Sequence, residues 1–334
     1  MKDDIGTIIK DQFTKLLKQN VDRNIILGAE GQELRTELWA AIENAGVPLA
    51  MVSEASGGVG LSPVAAFQLI STAAYHALPL PIAETIAVAG LLDRPLSGPT
   101  SFAHFANSNA ARVPYGADAA QILCGLDDGW LLVPASDVTA HRGINLAGEA
   151  RDDLQISHDD ADVMDMPEWL GPQRLDAAGA LIRAAQMRGA MQRAVDMSLT
   201  HAAERTQFGR PIGKFQAVQH MLADSAGQLV AAGALVDNAA EAWGRADFGL
   251  RAALAKSKAG TAAGKVAEVA HQVHAAMGFT QDHDLNFYTR RLWAWRDEFG
   301  SEAVWQERIG REICAQGGAV LWSSIIDATA GAAP

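Results

Sequence analysis

The sequence predicts a mainly α-helical protein with a small β domain between two helical parts. Hydrophobic residues make up 49% of the 334 residues, and aromatic residues only 6%. The apolar content is therefore mostly Ala, Leu, Ile and Val, which suits packed helices better than a β-sandwich. The hydrophobic periodicity also changes twice, from helical to strand-like and back. We expect an N-terminal helical domain over residues 1–96, a middle β domain over 97–173 and a C-terminal four-helix bundle over 174–334.

Three helices are predicted in the N-terminal part. The segment DDIGTIIKDQFTKLLKQ repeats apolar residues every three to four positions, which is typical of an amphipathic helix. The segment EGQELRTELWAAIENAG has the same pattern and stops at Gly46. A third helix is predicted in SPVAAFQLISTAAYHAL, opened by Ser62 with Pro63 in its first turn.

The middle part contains short apolar runs separated by Gly, Asp and Pro. QILCGL and GWLLVPA are joined through DDG, which predicts a β-hairpin, and DDLQISHDDADVM gives weaker strand signals. These runs have ordinary strand lengths, so a β domain of about 70 residues is expected.

Four long amphipathic helices are predicted in the C-terminal part. Met187 and Met191 mark the buried face of the first, and Leu222 and Leu229 that of the second. The third is expected over about 250–277 and the fourth over about 302–316. Short connections between such helices favour a bundle.

Composition excludes several classes of protein. The net charge of −12 argues against a broad basic face for nucleic acid. No run of about 18 apolar residues occurs, so no membrane span is expected. The N-terminus lacks the apolar core of a signal peptide. Cys124 and Cys314 form no disulfide framework, which predicts a reducing, cytoplasmic location.

The most informative stretch is AERTQFGRPIGKFQAVQHMLAD, which predicts a turn between the first two bundle helices. Arg205, Gln207 and Phe208 lie together at this corner. An Arg there can clamp a phosphate with two hydrogen bonds, and a Phe can cover a flat ring. The alternative is a structural turn whose Phe packs into its own core.

The same stretch resembles the segment between the first two bundle helices of acyl-CoA dehydrogenases, a flavin-dependent family. VSEASGGVGLSPVAAFQLI is similar to the family's turn after its second N-terminal helix, and VAHQVHAAMGFTQDHDL to its Gln-x-x-Gly-Gly-x-Gly stretch. The family has an N-terminal helical domain, a middle β domain and a C-terminal four-helix bundle. The resemblance covers most of the chain and is weakest in the middle part.

The resemblance implies that the corner contacts the pyrophosphate–adenine half of an FAD bound mainly by the neighbouring subunit. The family's paired glycines are replaced by Ala275 and Ala276, while Gly278 matches, and the two methyl groups could crowd the cofactor. The cofactor-binding residues implied in this way are Arg205, Gln207, Phe208, Gln216, Gln272 and Ala276.

The resemblance also locates a catalytic base. The family's Glu precedes Gly-Thr, and an ungapped count places Phe299 at this position, with Glu298 just before it. The family's second base position falls near Gly179, which carries no carboxylate. Glu298 is therefore the candidate base. Equally, Glu298 and Asp297 could form a surface salt-bridge cluster with Arg290, Arg291 or Arg296. Arg183 is the candidate substrate contact.

The leading hypothesis is an FAD-dependent oxidation of an acyl-CoA thioester to the 2,3-enoyl-CoA, with electrons passed to an electron-transfer flavoprotein. Such a chain would assemble with an acyl-CoA dehydrogenase-like subunit, the same or homologous. Two alternatives remain open: a non-catalytic subunit that completes the FAD site of its partner, and a flavin monooxygenase or oxidase. The histidines of HQVHAAMGFTQDHD match no strong zinc signature, so no metal site is expected.

Overall fold

A computed structural model of the chain describes residues 2–126, 129–157, 163–165, 167–318, 321–323 and 326. The helices are α1 Lys2–Asn20, α2 Arg23–Leu27, α3 Thr36–Asn44, α4 Pro63–Tyr75, α5 Ile82–Leu92, α6 Arg174–Glu204, α7 Gln216–Glu241, α8 Phe248–His274, α9 Leu285–Asp297 and α10 Glu302–Gln316. The strands are β1 Thr100–His104, β2 Asn109–Pro114, β3 Gln121–Gly125, β4 Trp130–Pro134, β5 Val138–His141, β6 Arg151–Ile156, β7 Thr206–Gln207 and β8 Arg210–Pro211. Within the described ranges, every helix is too short or too polar to cross a membrane.

The N-terminal part contains the three predicted helices and two others. The Ser62 hydroxyl accepts a hydrogen bond from the amide of Ala65 and caps α4, as its position before Pro63 predicts. The second predicted helix is shorter than its periodic segment, and only Thr36–Asn44 is helical. The sequence analysis missed α2 and α5. Residues 82–89 of α5 are all buried, so this helix lacks the polar face on which periodicity depends.

The middle part is built from two small sheets. β3 and β4 form the predicted hairpin, with Leu123 opposite Leu132, and β1 adds to it in parallel. β2, β6 and β5 form a second, antiparallel sheet. The two sheets enclose an apolar core of their own. Residues 127–128 of the predicted turn and 158–162 of the weaker strand signal lie outside the described residues.

The C-terminal part is a bundle of α6, α7 and α8, extended by α9 and α10. The predicted third helix ends at His274 and is followed by a 3-10 helix over Ala275–Phe279. The helix α9 was not predicted. One continuous apolar core includes residues of the N-terminal helices and of the bundle. A Cβ atom at Gly189 of α6 would lie 2.0 Å from the carbonyl oxygen of Ser71, so α4 and α6 are in backbone contact.

Candidate functional site

The predicted corner between α6 and α7 is a surface turn. β7 and β8 pair across it, and Phe208 at its tip has a left-handed φ of +52°. This conformation is uncommon for a bulky residue and directs the ring away from the bundle. Phe208 is 92% exposed, so the alternative in which this Phe packs into its own core is wrong.

A pocket of about 410 Å³ brings the corner together with the turn after α8. Arg205 and Gln207 line it from the corner, and Ala275 and Ala276 line it from the turn. These segments are about 70 positions apart in sequence, and the resemblance implies that both contact one dinucleotide. Their meeting in one pocket fits that role.

Gln216 and Gln272 lie on the exposed surfaces of α7 and α8. The described pocket at the corner is lined by neither of them. Their assignment to the cofactor stays a prediction, as do those of Arg205, Gln207, Phe208 and Ala276.

The turn after α8 keeps a glycine-like backbone although its glycines are replaced. Ala275 has φ +51° and ψ −144°, a region that side chains with a Cβ atom rarely adopt. The path of the chain at this turn therefore suits a close approach of phosphate to the backbone. The cost is conformational strain at Ala275, and this turn lines the pocket that Arg205 faces.

Glu298 lies in a buried cluster of charges. Its Oε1 accepts hydrogen bonds from Arg151 Nε at 2.8 Å and Asn145 Nδ2 at 2.9 Å. Its Oε2 accepts from Arg151 Nη2 at 2.9 Å and Arg183 Nε at 2.6 Å. Burial opposes the negative charge, but Arg151 and Arg183 outweigh burial and lower the pKa of Glu298 to about 2.

Further ion pairs extend this cluster across the molecule. Glu149 accepts from Arg151 and Arg291 and from the indole of Trp295, at 3.0, 3.1 and 2.8 Å. Arg183 also donates to Glu84 at 2.8 Å. Three carboxylates thus face three guanidinium groups, and the cluster joins α5, the middle domain, α6 and α9.

Phe299 and Gly179, the two positions at which the resemblance implies a base, lie in contact with each other. A Cβ atom at Gly179 would lie 2.3 Å from the ring of Phe299. The ring also stacks on Phe102, with centroids 5.4 Å apart, and lies 5.3 Å from the guanidinium carbon of Arg183. A phenyl ring therefore occupies the space where both base positions converge.

The turn that carries Phe299 is held by two long side chains. Lys256 of α8 is fully buried, and its ammonium donates to the carbonyls of Arg296 and Gly300 at 2.6 and 2.7 Å. The indole of Trp305 donates to the carbonyl of Phe299 at 2.9 Å. Burial lowers the pKa of Lys256 to about 7, although Glu298 partly opposes this.

The histidines near the end of α8 are packed in aromatic stacks. His271 lies between Phe279 and Trp293, with centroid distances of 4.2 and 5.5 Å. His274 stacks on His201 at 4.6 Å. Within the part of the chain that the structure describes, no group of three or more His, Cys, Asp or Glu side chains could hold a metal ion.

Sequence reasoning proposed Glu298 and Arg183 but missed most of their partners. Asn145, Glu149 and Arg151 lie in the middle domain, where no motif of the sequence identified them. Lys256 lies in an Ala-rich helix and resembles any exposed lysine in the sequence. The one available signal was the group of charges around Glu298, which led to the alternative of a surface cluster with Arg290, Arg291 or Arg296. The structure corrects this alternative, because Glu298 is in a buried cluster and its partners are Arg151 and Arg183.

These elements, in this order, form the three-part fold of the flavin-dependent acyl-CoA dehydrogenases. The family model for the acyl-CoA dehydrogenase C-terminal domain matches residues 177–314, which include the corner, the turn at Ala275 and Glu298. The C-terminal part of the chain is therefore similar to the C-terminal domain of acyl-CoA dehydrogenases.

Known proteins share this fold along nearly the whole chain. The steroid ACAD Tcur3481–Tcur3483 has a TM-score of 0.80 and 23% identity, covering 96% of this chain and 100% of that one. The ChsE4–ChsE5 complex of Mycobacterium tuberculosis has a TM-score of 0.77 and 20% identity, covering 92% and 97%. At sequence identities this low, the structural similarity shows a shared fold and nothing further.

Among curated relatives, identity above 30% is found only in matches that cover less than half of the chain. The acyl-CoA dehydrogenase IpdE2 of Mycolicibacterium smegmatis is 35% identical over 119 residues, which is 36% of this chain. The match spans only 37% of the length of that relative.

Proposed function

We propose that the chain is a subunit of an acyl-CoA dehydrogenase that oxidises an acyl-CoA thioester to the 2,3-enoyl-CoA. The observation that carries this proposal is the exposed corner at Arg205, which faces one pocket with the strained turn at Ala275. Both lie in the part of the chain that matches the family model. FAD, when bound, supplies the hydride acceptor, and an electron-transfer flavoprotein is the proposed acceptor of the electrons.

The residues of the corner have distinct proposed roles. Arg205 pairs with the pyrophosphate, Gln207 hydrogen-bonds beside it, and Phe208 covers the flat adenine ring. Because Phe208 is almost fully exposed, this cofactor would be held mainly by a second subunit. The complex of ChsE4 with ChsE5 supports a pairing of this kind between different chains.

Arg183 is proposed as the substrate contact. Its Nη2 and the Oε2 of Glu84 are buried and have no partner among the described residues. A thioester carbonyl could accept a hydrogen bond from this Nη2. Phe299 lies over one face of this guanidinium, with the ring centroid 5.3 Å from its carbon atom, so the ring borders any substrate bound at Arg183.

The proton acceptor decides between two forms of this function. If this chain performs the reaction, Glu298 must remove the α proton, because it is the carboxylate nearest the expected position. A pKa of about 2 makes it a weak base at neutral pH. The second candidate function is a supporting subunit, favoured by the Phe299 ring that fills the space at Gly179. A carboxylate of the partner would then act.

The test of the cofactor proposal is a charge-removing pair of variants. Arg205→Ala removes a charge-assisted contact worth about 1.5–3 kcal/mol, so FAD affinity of the assembled complex should fall by about one to two orders of magnitude. Arg210→Ala removes a positive charge from the same turn but outside the pocket, so it is the matched control. Equal flavin retention in both variants would remove Arg205 from the site.

The test of the reaction is anaerobic reduction of the flavin by acyl-CoA. It is measured for the chain purified alone and together with co-encoded homologues. If the chain alone forms enoyl-CoA, it is a catalytic subunit. If only the mixture forms enoyl-CoA, it is a supporting subunit. Absence of flavin and of enoyl product in every combination would refute both.

The two cysteines are free, in keeping with the proposed cytoplasmic location.

A further inference from the structure

A pocket on the far side of α6 has no role in the function proposed above. Its volume is about 330 Å³, at the small end of the range for ligand sites. It lies between α1, α4 and α6, and its lining includes Lys10 and Lys18 of α1, Tyr75 and His76 near the end of α4, and Arg188 and Gln192 of α6.

The charged side chains that line this pocket are all cationic, while two carboxylates lie behind the lining: Asp237 is bound to Arg188, and Asp196 to Tyr75 and Gln192. Three cationic side chains line it, and all the other described lining residues are uncharged polar residues or glycine. Lys10 and Lys18 form no ion pair with any described carboxylate. Such a concentration of positive charge is unexpected in a chain with a net charge of −12, and it attracts anions.

Arg188 is positioned to contribute hydrogen bonds. Its Nη1 donates to Asp237 at 2.6 Å, which fixes the guanidinium at the edge of the pocket. Its other N–H groups have no partner among the described residues. A guanidinium held from one side in this way presents its free donors in a defined direction.

The floor of the pocket is rigid. The α4 and α6 backbones touch at Gly189, and the Ser71 hydroxyl donates across the contact to the carbonyl of Ala185 at 2.9 Å. The two lysines stand above this floor on exposed positions of α1. The pocket thus has a rigid polar floor and two flexible lysine side chains at its rim.

His76 adds a neutral donor or acceptor to the wall. Burial, and then the positive charges of Arg193 and Lys18, lower the pKa of His76 to about 4. The imidazole is therefore uncharged near pH 7. Burial is the main cause of this low pKa, and Lys18 at the rim adds a smaller contribution.

We propose that this pocket binds a small phosphate-bearing anion through Lys10, Lys18 and Arg188. A phosphate group carries up to two charges and three strong acceptor oxygens, which suits three cations surrounded by hydroxyl and amide donors. The small volume favours inorganic phosphate or a short phosphate ester over a nucleotide.

Calorimetric titration of the full chain with sodium phosphate, at constant ionic strength, tests this site. We expect the double variant Lys10→Gln/Lys18→Gln to weaken phosphate binding by about tenfold or more. Lys15→Gln is the matched control, because Lys15 is an exposed lysine of α1 outside the pocket, and it should change affinity by less than about twofold. Circular dichroism checks that each variant is folded.

Three results would overturn the proposal. The first is the absence of any saturable heat with phosphate. The second is equal weakening by the double variant and by Lys15→Gln, which would show a general charge effect. The third is tighter binding of malonate than of phosphate, which would assign the pocket to dicarboxylates. Glycerol phosphate, titrated in parallel, distinguishes a phosphate ester from free phosphate as the preferred ligand.

Discussion

The substitution Glu298→Gln separates a structural role of this carboxylate from a catalytic one. The side chains of Arg151 and Arg183 are 2% and 1% exposed, and both donate to Glu298. The amide keeps the size of the side chain but removes its charge and turns an N–H group toward the guanidinium groups. Breaking a buried ion pair from one side costs about 3–5 kcal/mol, so the free energy of unfolding should fall by about that amount.

The pKa of Glu298 gives a second route to the same magnitude. A folded-state pKa of about 2, against an ordinary value of 4.5, corresponds to about 3 kcal/mol. This contribution is present above pH 4.5 and is lost as the pH falls toward 2, because the unfolded chain then binds the proton first. The difference in stability between the wild type and Glu298→Gln should shrink over that range.

The assay is urea unfolding followed by circular dichroism, with flavin reduction measured in parallel on the assembled complex. Asp297→Asn is the matched control, since Asp297 is the exposed neighbouring acid and should change stability by less than about 0.5 kcal/mol. The structural reasoning fails if Glu298→Gln unfolds like the control while flavin reduction drops about 10²-fold or more. That result would identify Glu298 as the catalytic base and would show that its charge is not needed for the stability of the fold.

Three further predictions concern the turns around the site, and each is measured by urea unfolding. Gly179→Ala should lower the free energy of unfolding by about 1–3 kcal/mol, because its methyl group is forced against Phe299. The loss should be smaller when Phe299 is also changed to Ala, and an equal loss in both backgrounds would contradict the contact. Lys256 has a folded-state pKa of about 7, below its ordinary value of 10.5. The free energy of unfolding of the wild type, relative to that of Lys256→Met, should therefore rise as the pH increases above about 7. If the difference between the two free energies does not change with pH, the pKa of Lys256 is not lowered. Ala275→Gly should raise the free energy of unfolding by about 0.5–1 kcal/mol by relieving the left-handed backbone, and a loss of stability would show that no strain is stored there.

The fold followed from the sequence where one face of an element is polar. The hairpin of β3 and β4 and the cap at Ser62 were predicted because turn residues and alternation are local signals. The helix α5 was missed because it is buried on all sides and has no periodic contrast. The middle domain resembled the family least, and its strands could be placed only as short apolar runs.

The site was predictable to a smaller extent. The corner at Arg205 was visible because Gly and Pro punctuate it within one short stretch. The partners of Glu298 were not, because Asn145 and Arg151 are about 150 positions away and only the packing of the middle domain brings them near. The filling of the space at Gly179 by Phe299 depends on tertiary packing in the same way.

The buried charge cluster has a consequence for how the molecule holds together. The middle domain has its own apolar core, and part of its attachment to the helices is the ion pairs of Glu149 and Arg151 with Arg291 and Glu298. Opening this joint would separate several buried ion pairs at once, and losing one partner of such a pair costs about 3–5 kcal/mol while its site stays buried, so small separations of the domain are strongly disfavoured. Docking of the middle domain should therefore be close to all-or-none.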